Sequence, residues 1–436
     1  MLRLLFMQFL SIFLPVSILS QDLDYARQVI HDLASPEMHG RGYIANGDLK
    51  AARYISKEYK KLGLQKLTKK YFQPFTISVN TFPGELSLAL NGQPLIAGKD
   101  FLVYPGSPSL KGQFETHFVK AHDLVESEQW LKTLSQSSGK FIIVDKTGPG
   151  IEILEKPDKD KIEEIIDFLK THPDNPAAGT ILFTDDKLSW RGSTKEYYKP
   201  FITVNSDINP EEIEQVSLHV ENMYYESYQT QNLIGLIEGQ KYPDSLIVFT
   251  AHYDHLGRMG KNTYFPGAND NASGIAMILN LASHYSQAMN QPDYTMVFLA
   301  LGAEEIGIIG AGYYTEYPLL PLDQISFLIN IDLAGNGEEG ITVVNATEYK
   351  PRFDKLVEIN TTSQYLPRVK SRGPACNSDH CPFYNQGVPS FFIYTMGGST
   401  AYHDIYDTPD SLPLTMFENY FLLLKAFADS IQVKYF

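Results

Sequence analysis

From residue 230 onward the chain alternates between two kinds of segment. The continuous apolar runs NLIGLIEG, LIVFTAH, TMVFLALG, ISFLINID, ITVV and PSFFIY are bounded by Gly, Asn, Asp and Pro, and their lengths suit buried strands. Between them, apolar residues recur three and four positions apart. The clearest such stretch starts at Gly274 and sets Ile275, Ile278, Leu279, Ala282, Tyr285 and Met289 on one stripe, which predicts a helix. LPLTMFENYFLLLKAFADSIQ predicts a closing helix. Buried strands alternating with helices define an α/β layered domain around a mixed, mostly parallel sheet. Upstream, AARYISKEYKKLGL places Ala52, Ile55, Tyr59 and Leu62 at helical spacing, and Gly63 supplies a stop.

The texture changes between residues 72 and 224. Short β-like runs, FIIV at 141, TILF at 180 and FITV at 201, alternate with Gly, Pro and Asn turns. This predicts one domain built from residues 21–71 and 225–436, interrupted by a smaller β-rich domain at 72–224. The first residues are of another kind. Arg3 precedes an apolar stretch from Leu4 to Leu14, Pro15 breaks it, and Ser20 offers a small residue for cleavage. That is the pattern of a secretory signal peptide over residues 1–20, and it predicts a secreted or periplasmic protein. Ile18 stands where a small residue is usual, so an uncleaved anchor is the alternative reading.

Composition narrows the partners. A net charge of -15 with no basic cluster argues against nucleic acid and against an anionic membrane surface. The two cysteines, Cys376 and Cys381, either close a short disulfide loop or remain free thiols; the sequence leaves both open.

One stretch raises a chemical question. MVFLALGAEEIG ends a buried strand with adjacent glutamates, Glu304 and Glu305, and such a pair needs a metal ion, a shared proton or solvent to offset its repulsion. The other strand and helix boundaries supply matching groups: His252 and Asp254 after LIVFTA, Asp270 in PGANDNASG, Asp332 after FLINI, and His403 in TAYHDIYDTPD. Any one of these residues alone is more often a cap or a solvated turn. Together, two imidazoles and three carboxylates suit a borderline divalent ion, zinc above all. Two ions need one bridging carboxylate and two further ligands each, which His252, Asp270, Glu305, Asp332 and His403 supply. Glu304 is then left as a general base for a water molecule. Asp254, two residues from His252, is placed to accept that ring's other N–H. The chain has no HExxH, no G-x-S-x-G and no phosphate-binding or dinucleotide fingerprint.

HYDHLG, GANDNASG, GAEEIGIIGA, NIDLAG and SDHCPFYNQGVP followed by YHDIYDTPD resemble the co-catalytic zinc exopeptidases. That family comprises the secreted aminopeptidase and aminopeptidase Y group together with the glutamate carboxypeptidase II type. LASPEMHGRG and the helix after it are similar to the family's N-terminal segment, and the middle unit is similar in position and texture to a protease-associated domain. The resemblance implies two Zn²⁺, one held by His252 and Asp332 and the other by Glu305 and His403, with Asp270 bridging and Glu304 as base. It also implies a cis peptide at Asp270–Asn271 and a hydroxyl donor for the oxyanion in Tyr402. The activity implied is release of N-terminal residues from peptides with a free amine. A single-zinc glutaminyl cyclase, a carboxypeptidase and a non-catalytic ectodomain are the alternatives within the same fold. His255 and His380 are expected to be structural hydrogen-bonders, and Asp379 a supporting or structural acid.

Overall fold

A computed structural model describes residues 22–148, 150 and 153–432; the expected signal segment lies outside them. The larger of two main sheets has nine strands. At its centre, Tyr242–His252 runs parallel to both Tyr294–Leu301 and Ile325–Ile331, and Ile325–Ile331 runs parallel to Ser390–Met396. Antiparallel neighbours flank this centre, Met223–Ile237 on one side and Gly340–Val344 on the other.

The central strands are apolar throughout because both faces are covered. All eight residues of Tyr294–Leu301 are buried. Ile247, Phe249 and Ala251 point to one face, where they meet helices Leu23–Leu33, Gly47–Lys61, Gly274–Tyr285 and Phe417–Ile431. Leu246 and Val248 point to the other, against Ala311 and Tyr314 of Ile309–Glu316 and Phe383 of His380–Asn385. The α/β layered reading therefore describes the molecule. Among the described residues no helix is long and apolar enough to cross a membrane.

Two expectations change. The helix from Gly274 stops at Tyr285, and Met289 is 71% exposed rather than part of the buried stripe. The Asn290 side-chain amide donates to the His284 carbonyl (3.2 Å), satisfying a helix-end acceptor and turning the chain toward Pro292. The expected domain boundaries at 72 and 224 also move. Phe72–Thr81 pairs with Met223–Ile237 in the larger sheet, so the second unit takes residues 86–220. Its eight strands include Phe141–Asp145, Gly179–Phe183 and Phe201–Val204, where the short apolar runs lie, and helices Ser127–Gln136 and Lys156–Thr171 accompany them. Its core runs on without a gap into Leu256, Met259 and Phe265 of the larger domain.

Candidate metal centre

Parallel register brings three strand ends to one level. His252 lies opposite Leu301, and Thr250 lies opposite Asn330. The residues just past these ends therefore gather on one edge of the sheet, where α/β proteins collect their functional groups. His252 ends one strand, Glu304 and Glu305 follow the second, and Asp332 follows the third. Asp270 comes from the turn that opens the Gly274–Tyr285 helix, and His403 from the loop between the last strand and the closing helix.

Asp270 stands between two pairs. Its Oδ1 lies 3.3 Å from His252 Nε2, which is also 3.4 Å from Asp332 Oδ1. Its Oδ2 lies 3.1 Å from His403 Nε2, which is 3.2 Å from Glu305 Oε2. Two ligands each about 2.1 Å from a tetrahedral zinc stand about 3.4 Å apart, so these spacings fit donors that share a cation. Asp332 Oδ1 is buried and has no hydrogen-bond partner among the described residues, which also fits a coordinating role. Electrostatics agree. Burial opposes protonation of His403, but Glu305 and Asp270 hold its ring up at about 11. His252 is likewise held well above the usual imidazole range, against burial, by Asp332 and Glu304. The cluster thus demands positive charge, which protons supply when no cation does.

His255 is also close to Asp270 and Glu305. Its Nδ1 lies 2.6 Å from Glu305 Oε1, a hydrogen-bond distance, and it orients that carboxylate so that Oε2 faces His403. His380 uses Nε2 on the Ala375 carbonyl (2.9 Å). The Glu304 carboxylate lines the same cavity, of about 330 Å³, and makes no hydrogen bond to any described residue. Burial, opposed by His252 and reinforced by Asp379, Glu305 and Asp332, raises its carboxyl well above the usual range. Tyr402, 47% exposed, stacks on His403 with ring centroids 3.9 Å apart and lines the cavity.

Asp254 takes a different part from the one expected. His252 Nδ1 meets the backbone carbonyl of Asp254 at 3.2 Å, whereas the carboxylate stands 4.0 Å away. The carboxylate instead accepts the backbone N–H of Glu304 (3.1 Å) and of Glu305 (3.4 Å), and the hydroxyl of Tyr43 (3.4 Å). The glutamate turn presents two N–H donors to it, so Asp254 fixes the turn rather than the imidazole. Asp379 is fully buried, burial pushes its carboxyl up to about 8, and neither oxygen has a hydrogen-bond partner among the described residues.

Several supporting groups escaped sequence reasoning. Arg41, fully buried, spends all five N–H donors on carbonyls: Tyr253 (2.8 Å), Leu33 (3.0 Å), Pro266 (2.8 Å), Gly267 (2.6 Å) and Asp270 (3.1 Å). It grips the loop that carries Asp270 from behind. Asp407 accepts the N–H groups of Asn269 (2.9 Å) and Asp270 (3.0 Å). Ser378 donates to Asp332 Oδ2 at 3.0 Å, and the loop that carries it is closed by a Cys376–Cys381 disulfide with Cα atoms 5.0 Å apart. The Asp270–Asn271 peptide is cis.

Residues 232–428 match the model of peptidase family M28. Aminopeptidase YwaD of Bacillus subtilis (strain 168) is 28% identical over 189 residues, covering 42% of this chain and 39% of that protein. Leupeptin-inactivating enzyme 1 of Streptomyces exfoliatus is 32% identical over 149 residues, covering 34% and 32%. The matched part is thus well under half the length of either relative. In fold the likeness extends further. A solved structure described as a zinc aminopeptidase from Bacillus subtilis superposes over 93% of this chain and 94% of its own, with TM-score 0.66 and 19% identity. A peptidase M28 precursor from Shewanella amazonensis SB2B covers 96% and 95%, with TM-score 0.69 and 16% identity.

Proposed function

We propose that the protein is an exported di-zinc aminopeptidase. The observation that carries the reading is the Asp270 carboxylate, whose two oxygens serve two separate His–carboxylate pairs beside the unengaged Glu304. His252, Asp332 and Asp270 Oδ1 would hold one ion, and His403, Glu305 and Asp270 Oδ2 the other. Zinc so held supplies Lewis acidity toward a scissile carbonyl and lowers the pKa of water.

The chain's own groups then have distinct tasks. Glu304, its carboxyl raised by burial, accepts the proton of the attacking water and returns it to the leaving amine nitrogen. The Tyr402 hydroxyl, at the cavity wall, donates to the developing oxyanion. Asp254, Arg41 and Asp407 hold the turns that present Glu304, Glu305 and Asp270, and His255 orients the Glu305 carboxylate. Arg191 of the second unit reaches the same cavity, which supports a part for that unit in shaping substrate access. Export is supported by the N-terminal pattern and the disulfide. The aminopeptidase assignment is supported by the described activity of the relatives.

Hydrolysis of leucine p-nitroanilide and its N-acetyl derivative, each with and without a chelator, tests the reading. The free-amine substrate should be cleaved and the blocked one spared, with activity lost on chelation. Equal cleavage of both substrates, or release of ammonia from glutaminyl peptides in place of hydrolysis, would overturn it.

A further inference from the structure

We infer that residues 187–194 of the second unit form a strap that positions one half of the metal centre, the His403–Glu305 half, and leaves the His252–Asp332 half to the peptidase domain alone. The inference rests on the two-ion reading above.

His403 sits on a partly buried loop in a left-handed backbone conformation (φ 55°), which residues other than glycine seldom adopt without help. The help comes from the strap. Trp190 N–H donates to the His403 carbonyl at 2.8 Å. Lys187 Nζ donates to the carbonyls of Thr400 (2.8 Å) and Tyr402 (3.1 Å) and pairs with the buried carboxylate of Asp404 at 2.6 Å. Four ties therefore bracket the ligand on both sides.

The strap is itself anchored. The Trp190 indole N–H donates to the Val103 carbonyl at 2.7 Å, and its ring stacks on Phe265 with centroids 4.7 Å apart. Further on, the Ser193 carbonyl accepts Asn80 N–H (2.9 Å), and the Thr194 carbonyl accepts the Ser78 hydroxyl (2.9 Å).

The same segment also seats on the other ligand of that half. A Cβ added at Gly192 would lie 2.2 Å from Ile306 Cγ2 and 3.3 Å from the Glu305 carbonyl, so the strap's backbone is pressed onto the glutamate turn. By contrast, no hydrogen bond runs from residues 86–220 to His252 or Asp332 among the described residues. Those ligands are set by strand ends, by Ser378 and by Asn271, whose amide donates to the Ile331 carbonyl (3.0 Å). The asymmetry makes Lys187, Trp190 and Gly192 positioning residues for one ion.

The test is zinc binding by the full chain in a metal buffer, with Lys187→Met and Gly192→Val as separate variants and thermal unfolding as a check of folding. The native chain should take two ions. Each variant should keep one at native affinity and bind the second roughly ten- to a hundredfold more weakly, the range for disturbing groups that orient a ligand. Turnover should return as free zinc is raised. With cobalt in place of zinc, the one-ion spectrum of Lys187→Met should match that of His403→Ala and differ from that of His252→Ala. Two ions at native affinity, or equal weakening of both, would overturn the strap. A native stoichiometry of one would instead refute the two-ion reading, and the native measurement alone reveals it.

Discussion

Arg41→Met removes a buried cation and leaves five carbonyls without their donor, while keeping the side chain's length. Each buried acceptor left unsatisfied costs about 1–3 kcal/mol; the Gly267 carbonyl keeps the Ala272 N–H (3.3 Å), so the other four give a nominal loss of about 4–12 kcal/mol. Entering water and local relaxation reduce this, and about 4 kcal/mol is a reasonable floor, already at the exceptional end for a single substitution. Loss of the charge itself adds nothing, because burial brings the guanidinium down to about 10 even though Asp270 and Asp407 pull the other way. Against a total stability of about 5–15 kcal/mol, the variant sits near its unfolding threshold. Arg41→Lys keeps the charge and three donors, so its loss should be about half as large. The assay is urea unfolding of the native chain and both variants with metal removed, since bound ions stabilise the folded state by mass action. A loss under about 1 kcal/mol for Arg41→Met, or equal losses for the two variants, would refute the claim that the carbonyl cradle holds the loop that carries Asp270.

Ser378→Ala deletes the donor to Asp332 Oδ2 and the acceptor for the Asn330 amide (2.8 Å), and zinc at the His252 position should bind roughly ten- to a hundredfold more weakly. Competition with a chromophoric chelator reads this directly, and native affinity would count against the role given to Ser378. Asp48 gives a prediction about pH. Burial raises its carboxyl from 3.8 to about 6, against the hydroxyls of Tyr228 (2.7 Å) and Thr230 (2.9 Å). A folded value above the unfolded one favours the protonated form, so its stabilisation is full below the unfolded value and is lost as pH rises through the folded one. Native stability should therefore fall by about 2 kcal/mol between pH 4 and 7 relative to Asp48→Asn, which cannot titrate. Parallel stability curves for the two proteins would show that the shift is absent.

The clustered site residues were legible because each interrupts or ends an apolar run, and a polar residue at the end of a buried strand stands out whatever the tertiary structure. His252, Asp332 and the glutamate pair stand at the level where parallel register aligns the strand ends, so sequence pattern and topology carry the same information. Residues that act through distant backbone left no such mark. Arg41 meets its acceptors more than two hundred positions away for four of its five bonds, and nothing in LASPEMHGRG encodes which carbonyls await it. Asp254 was assigned to the nearest imidazole in sequence, but the nearest donors in space are two N–H groups fifty residues on. The strand Phe72–Thr81 buries Phe75, Ile77 and Val79 with a period of two, a pattern that says strand but not which sheet. The helix Lys156–Thr171 buries Ile162, Ile165, Ile166 and Leu169 at helical spacing, a pattern that the strand-like runs on either side mask. The cysteines were undecidable from spacing alone, since pairing depends on whether the intervening loop brings the two Cα atoms within reach.

The central claim is that Glu304 is a proton-transfer group beside a metal centre it does not itself hold. Replacing it by Gln keeps size and polarity but removes the base. Metal content and turnover of leucine p-nitroanilide, measured on the same preparation of Glu304→Gln, test the claim most directly. The account predicts native metal content with kcat lowered roughly 100- to 10,000-fold, the range for loss of a general base. Turnover close to native, or loss of bound metal in step with activity, would contradict it.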